Sequence, residues 1–223
     1  GQAARASFRA LYDVDDVSAG TVEKIQAGFE KLRKPGVYRH VLCDLGKIES
    51  CQVNSLSAPF LESKMPTLLM QDLSILAMIG VDVDTLTKHT GIKVADLNDW
   101  HKAIDAMFNK YGRYAVAVKS QNAYARDINY EQVSAEAAAE TFQKKVQGQP
   151  ITPEQQKAME DHCFWYAVRR ATEQNLPVKL HTGYYAGENY MPLSRLIHNA
   201  GSACDLCRAA LDTRFVFMHL CYP

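Results

Sequence analysis

The sequence predicts an α/β protein whose parallel strands form a (β/α)8 TIM barrel, incomplete in this chain. Two apolar runs end in histidine in the same way, PVKLHTG at His181 and RFVFMHLCYP at His219. Val, Leu and Phe are typical of buried parallel strands, and the 38-residue step from one histidine to the other fits a strand, a helix and a return loop. Polar groups end five successive candidate strands, whereas an open sheet gathers its site at one switch point. A barrel is therefore predicted, with these strand ends at its mouth: Asp44, Asp72, Lys119, His181 and His219.

The first third of the chain predicts two helices followed by two strands. Apolar spacing indicates helices over 3–12 and about 20–34, and Pro35 with Gly36 ends the second. VYRHVLCD then predicts a strand that ends near Asp44, and PTLLMQD a shorter strand that ends near Asp72. The continuation LSILAMI fits a helix equally well.

The rest of the chain alternates between helices and strands. We expect a helix over about 96–111 that begins at Asp96 or Asn98, and then the strand YAVAVK, which ends in Lys119. Two further helices follow over 131–147 and 153–175, with Pro153 in a first turn. LSRLIHNA and the helical CDLCRAALD separate the two histidine strands. This alternation predicts right-handed crossovers.

Length and charge limit the classes of function. The 223 residues predict a single domain over 1–223, and the 25 basic and 25 acidic residues leave no basic stripe for nucleic acid. No run of about 18 apolar residues and no apolar leader is present, so we expect a cytoplasmic protein without a membrane partner. The six cysteines are too few for a disulfide framework and are expected to be free thiols. The sequence is also compatible with a homo-oligomer.

Three segments resemble the metal-dependent amidohydrolase superfamily. VAVKSQNAYARDI, PVKLHTGYY and FVFMHLCYP are similar to its fourth, fifth and sixth strands. The resemblance is closest to the branch with decarboxylases, lactone hydrolases and glutamine synthetase-fused amidohydrolase-like domains, and it spans most of the chain from about residue 37. It implies a divalent metal ion, commonly zinc, held by an HxH pair on the first strand, a His on the fifth and an Asp on the eighth. His181 matches the fifth-strand ligand, and His219 matches the sixth-strand His, which is a second ligand or an acid/base group.

The chain departs from this pattern in one respect. It contains no HxH, and two histidines are fewer than the three protein ligands that a catalytic zinc site commonly has. We therefore expect the chain to be a segment that covers strands 2 to 6, with the first strand and the last two strands outside it.

Four further residues are candidates for the site. Lys119 is expected to be catalytic, or charged and paired with the substrate or a carboxylate; the alternatives are a structural role and the carboxylation of its amine to bridge two metals, which some branches imply. Tyr124 and Arg126 match a Tyr and an Arg of the family, and Arg126 suits a substrate carboxylate; a surface ion pair is its alternative. Tyr184 follows the HTG turn and either lines the pocket or packs under a helix.

The CxxC of Cys204 and Cys207 is a separate motif. It suits metal or redox chemistry, but two residues at this spacing on a helix also simply share a face. The second interpretation is favoured, because no second pair of ligands stands at a suitable distance.

The resemblance implies a metal-dependent hydrolase that acts on a small, carboxylated substrate through a metal-activated water. Metal-dependent non-oxidative decarboxylation on the same barrel is the alternative reaction. An inactive barrel that serves as a binding or scaffold domain is the alternative of another class, motivated by the missing HxH.

Overall fold

A computed structural model describes residues 1–55, 57–184 and 191–221 of the chain. The chain forms two compact units, Gly1–Cys51 and Gln52–Pro223. No helix in the described ranges is both long and apolar enough to cross a membrane. The single domain over 1–223 stays a prediction.

The first unit is helical where the sequence predicts a strand. It contains α1 (Gln2–Tyr12), α2 (Val22–Leu32), α3 (Val37–Arg39) and a π-helix (His40–Leu45), so the strand ending near Asp44 is wrong. The β-branched and aromatic residues of VYRHVLCD favour a strand, but they also recur at helical spacing. In the helical form His40 Nδ1 lies 3.2 Å from Asp44 Oδ2, four residues further on, a contact that an extended chain cannot make.

The second unit is built on a five-stranded sheet. The strands are β1 (Cys51–Val53), β2 (Leu69–Ser74), β3 (Ala117–Ser120), β4 (Val178–His181) and β5 (Phe215–Met218), and they lie side by side in chain order. The pairs β2·β3, β3·β4 and β4·β5 are parallel. The predicted α/β class with a parallel sheet is confirmed. Asp72 lies within its strand, which continues to Ser74.

Helices connect the strands, and the predicted cap at Asp96 and the predicted Pro153 in a first turn are confirmed. After α4 (Leu76–Ile79) and α5 (Val83–Thr90), α6 (Leu97–Tyr111) begins at Asp96, whose carboxylate accepts the Asp99 N–H. α7 (Ala135–Val146) begins at Ser134, and α8 (Pro153–Glu173) begins with a capping box of Thr152 and Gln155. α9 (Ser194–Ala209) merges the two predicted segments into one helix.

The strands divide the second unit into an apolar layer and a polar face. Leu73, Val118 and Leu180 are buried on the face that packs against the helices, where the largest buried side chains lie. The alternate residues of the same strands face the other way, because side chains alternate along a strand. We call this the inner face; it carries Asp72, Lys119, Lys179 and His181.

Candidate active site

Two imidazole rings meet at the ends of β4 and β5. His181 is the last residue of β4 and pairs in register with Met218, and His219 follows Met218 directly. The ring centroids of His181 and His219 lie 4.6 Å apart with an interplanar angle of 58°. His219 has φ 71°, in the left-handed region, which is uncommon for a residue other than glycine and turns the chain at the end of the strand. The sequence thus predicts the juxtaposition correctly.

His181 is held as a neutral imidazole. Its Nε2 lies 2.9 Å from the carbonyl oxygen of Gly183, which can only accept, so the ring donates there and the Nδ1 lone pair stays available. Burial, with smaller contributions from the nearby His219 and Lys119, lowers the pKa of His181 to about 4. Since metals bind the neutral form of histidine, this environment keeps His181 in the ligating state at neutral pH.

The loop after β4 is fixed by buried hydrogen bonds that sequence reasoning missed. Thr182 Oγ1 donates to the Met218 carbonyl oxygen at 2.6 Å, and the fully buried Asn199 donates its Nδ2 to the Thr182 carbonyl oxygen at 2.7 Å. Both bonds tie the end of β4 to β5 and α9. They hold the segment that carries His181 against the strand that leads to His219.

Tyr124, which follows β3, contacts one member of the histidine pair. Its ring meets the His181 ring edge-on, with centroids 4.3 Å apart and an angle of 75°. Arg195 holds this loop by donating to the carbonyl oxygens of Ala123 and Tyr124 at 3.2 and 2.9 Å. Tyr184 is 40% exposed, three residues beyond His181. The substrate-binding roles of Tyr124 and Tyr184 stay predictions.

Lysine side chains form the next row of the inner face. Lys119 and Lys179 are partners in the β3·β4 register, and both are buried. Lys179 Nζ lies 2.5 Å from Asp72 Oδ2 and 2.9 Å from Gln52 Oε1, whereas Lys119 Nζ lies 2.5 Å from the Sδ of Met218. The sequence did not single out Lys179. The signal was present, because Lys179 precedes His181 by two residues and so shares its face.

Arg126 is engaged away from the histidine pair by acidic residues of α8. Its guanidinium nitrogens lie 3.0 Å from Glu160 Oε2 and 2.5 Å from Asp161 Oδ1, and its carbon lies 4.5 Å from the centre of the Tyr130 ring. The side chain is only 14% exposed. The structure therefore gives Arg126 an ion pair, which is buried and not at the surface as the sequence alternative had it, and a role in substrate binding stays a prediction.

The imidazoles of His181 and His219 at the strand ends could provide two ligands of a metal ion. Neutral imidazole nitrogen is a borderline ligand that zinc and similar divalent ions accept. Among the residues that the structure describes, no group of three or more His, Cys, Asp or Glu side chains could hold a metal ion. His181 and His219 thus fit as two ligands of a shell, and not as a complete one.

The CxxC motif lies apart from these strand ends. Cys204 and Cys207 are exposed on α9 and free, and Cys43 and Cys163 are also free. The expectation of free thiols is confirmed for these four residues.

The fold resembles that of solved TIM-barrel enzymes. Uronate isomerase from Thermotoga maritima matches with a TM-score of 0.69 and 14% identity over 96% of this chain and 53% of its own. Glucuronate isomerase from Caulobacter crescentus matches with a TM-score of 0.62 and 13% identity, over 78% of this chain and 39% of the isomerase. A protein from Lactobacillus casei provisionally named a metal-dependent hydrolase matches with a TM-score of 0.61 and 15% identity, over 98% of this chain and 55% of that protein. The chain thus spans about half the length of these proteins or less. The predicted barrel fold is confirmed by this likeness.

Sequence comparisons add no relative. No protein-family profile matches the chain, and no curated protein matches it.

Proposed function

We propose that this chain carries the metal-binding and proton-transfer part of a metal-dependent, amidohydrolase-like enzyme that hydrolyses a small carboxylated substrate. The observation that carries the proposal is the contact of the His181 and His219 rings at the ends of two adjacent parallel strands, with centroids 4.6 Å apart. Reactive groups of βα barrels are placed at this end of the strands. The similar fold of a protein named a metal-dependent hydrolase supports the assignment.

His181 and His219 would hold the metal, and each has a further task. A divalent ion bound there would supply Lewis acidity, polarising a substrate carbonyl and lowering the pKa of water. His181 donates its Nε2 proton to Gly183, which fixes the tautomer and leaves Nδ1 for the metal. His219 is exposed, so the ring nitrogen that does not bind the metal can exchange its proton with substrate and solvent. The Tyr124 ring limits the movement of the His181 ring from the side.

Isomerisation of a sugar acid is a second candidate. Two of the three similar folds belong to proteins named uronate and glucuronate isomerases. Such a reaction moves protons between neighbouring carbon and oxygen atoms, which again requires an acid/base group such as His219. Both candidates have a carboxylated substrate, so they differ in the bond that is changed and not in the binding group.

A turnover screen of the full-length protein tests the proposal. The protein is stripped of metal, reloaded separately with Zn²⁺ and Mn²⁺, and assayed with N-acyl amino acids, lactones and glucuronate. Release of acid from the first two classes supports hydrolysis, and formation of a ketose acid from glucuronate supports isomerisation instead. Activity that is equal with and without metal contradicts both candidates.

A further inference from the structure

The inner face holds a buried ammonium group that makes no ion pair with any of the described carboxylates. Lys119 is 4% exposed, and its described hydrogen-bond partner is the thioether sulfur of Met218. A lysine ammonium has three donors, and a thioether is a weak, uncharged acceptor. Buried charges are normally paired with an opposite charge, so Lys119 is unusual among buried lysines.

The carboxylate nearest to this row, Asp72, is engaged through one oxygen, while its buried Oδ1 has no hydrogen-bond partner among the described residues. Asp72 Oδ2 lies 2.5 Å from Lys179 Nζ, and Gln52 Oε1 accepts a further Lys179 proton at 2.9 Å. The two lysines and one aspartate thus leave one net positive charge on the inner face. Burial, followed by repulsion from Lys179, lowers the pKa of Lys119 to about 8 against the opposing attraction of Asp72, and most of the amine is still protonated at pH 7. One added anionic group would neutralise the row.

The N–H donors of Lys119 lie close to the histidine pair. Lys119 contacts Met218, the residue before His219, and its register partner Lys179 lies two residues before His181. Two residues along a strand span about 7 Å. A small molecule bound to Lys119 would therefore place its other end at the two imidazoles.

We propose that Lys119 binds the carboxylate of the substrate, and that the Lys179–Asp72 ion pair positions Lys119 for this by occupying the one carboxylate that could otherwise neutralise it. This inference rests on the proposed function, because it names the residue of the same site that binds the carboxylate of the substrate. It moves this role from Arg126, whose donors face Glu160 and Asp161, to the inner face.

The test measures binding of the simplest carboxylate to the full-length, metal-free protein. Acetate and its neutral analogue acetamide are titrated, and their methyl proton relaxation is followed by NMR. We expect saturable binding of acetate that is at least tenfold tighter than that of acetamide, because a charge-assisted hydrogen bond contributes roughly 1.5–3 kcal/mol. Lys119→Met should weaken acetate binding at least tenfold, and Lys119→Arg should stay within a few-fold of wild type.

Controls keep the outcomes distinct. Lys110→Met removes an exposed lysine and should leave acetate binding unchanged. If Lys119→Met does not fold, the acetate-to-acetamide ratio of the wild type decides. Equal binding of the two ligands, or unchanged acetate binding in a folded Lys119→Met variant, overturns the proposal. The acetate titration involves no metal and no turnover. If acetate binds at Lys119 but the protein has no metal site, the proposed function is refuted and the carboxylate-binding role of Lys119 stands.

Discussion

The ion pairs of Arg126 allow a structural role to be separated from a role in substrate binding. In the structure Arg126 bridges Glu160 and Asp161, and Asp161 is fully buried. Arg126→Ala removes this cation and leaves two acidic side chains of α8 without it. Breaking a buried ion pair by removing one partner typically costs 3–5 kcal/mol of stability.

The contacts that Asp161 and Glu160 keep in the Arg126→Ala variant decide where in this range the loss of stability lies. Asp161 keeps Lys157, 2.6 Å away, and the backbone N–H of Glu131, and Glu160 keeps the amide of Gln156 at 2.8 Å. Since neither carboxylate is left without a partner, we expect the loss to lie at the lower end, about 3 kcal/mol.

Urea unfolding followed by circular dichroism measures this loss. Lys157→Ala is the matched control; it removes a cation that is 33% exposed from the same Asp161, and it should cost less than about 1 kcal/mol. If Arg126→Ala unfolds within 1 kcal/mol of wild type while the KM for a carboxylated substrate rises tenfold or more, Arg126 is a substrate ligand and the structural interpretation is wrong.

Three further predictions concern other groups. Burial and the neighbouring His162 lower the pKa of His101 from 6.5 to about 4. As the pH is lowered from about 6.5 to about 4, the unfolded chain therefore takes up the proton first and the free energy of unfolding decreases. The loss is at most about 3 kcal/mol, and His101→Gln should remove it from the pH profile of urea unfolding; an unchanged profile contradicts this. Lys179→Met removes the ion-pair partner of the buried Asp72 and leaves it only the neighbouring Lys119 as a cation, so it should cost about 3 kcal/mol, whereas Lys179→Met with Asp72→Leu should recover most of it; a single variant as stable as wild type excludes the pair as a stabilising element. His219→Asn should lower kcat at least a hundredfold with an unchanged circular dichroism spectrum, and near wild-type kcat would exclude a role in proton transfer.

The sequence predicts best where local patterns decide the structure. The cap at Asp96, Pro153 in a first turn and the apolar runs before His181 and His219 are local signals, and the structure follows them. Parallel strands then bring the two histidines together, because their carboxyl ends lie at the same edge of the sheet.

Contacts between distant segments are what the sequence does not predict. The partners of Arg126 lie 34 and 35 residues away on α8, and the partner of Lys179 lies 107 residues away on β2. No local pattern indicates which of the many charged side chains will meet. The three-residue strand β1 is missed because it is too short to show alternation.

Zinc binding tests most directly the central claim that His181 and His219 share a divalent ion. The full-length protein is loaded with Zn²⁺, and the metal content and the zinc X-ray absorption spectrum are compared for wild type, His181→Ala, His219→Ala and the exposed control His198→Ala. We predict that each of the first two variants loses zinc or shows one imidazole fewer in its spectrum, while the control equals wild type. Stoichiometric zinc with an unchanged number of imidazole ligands in both His181→Ala and His219→Ala would contradict the account.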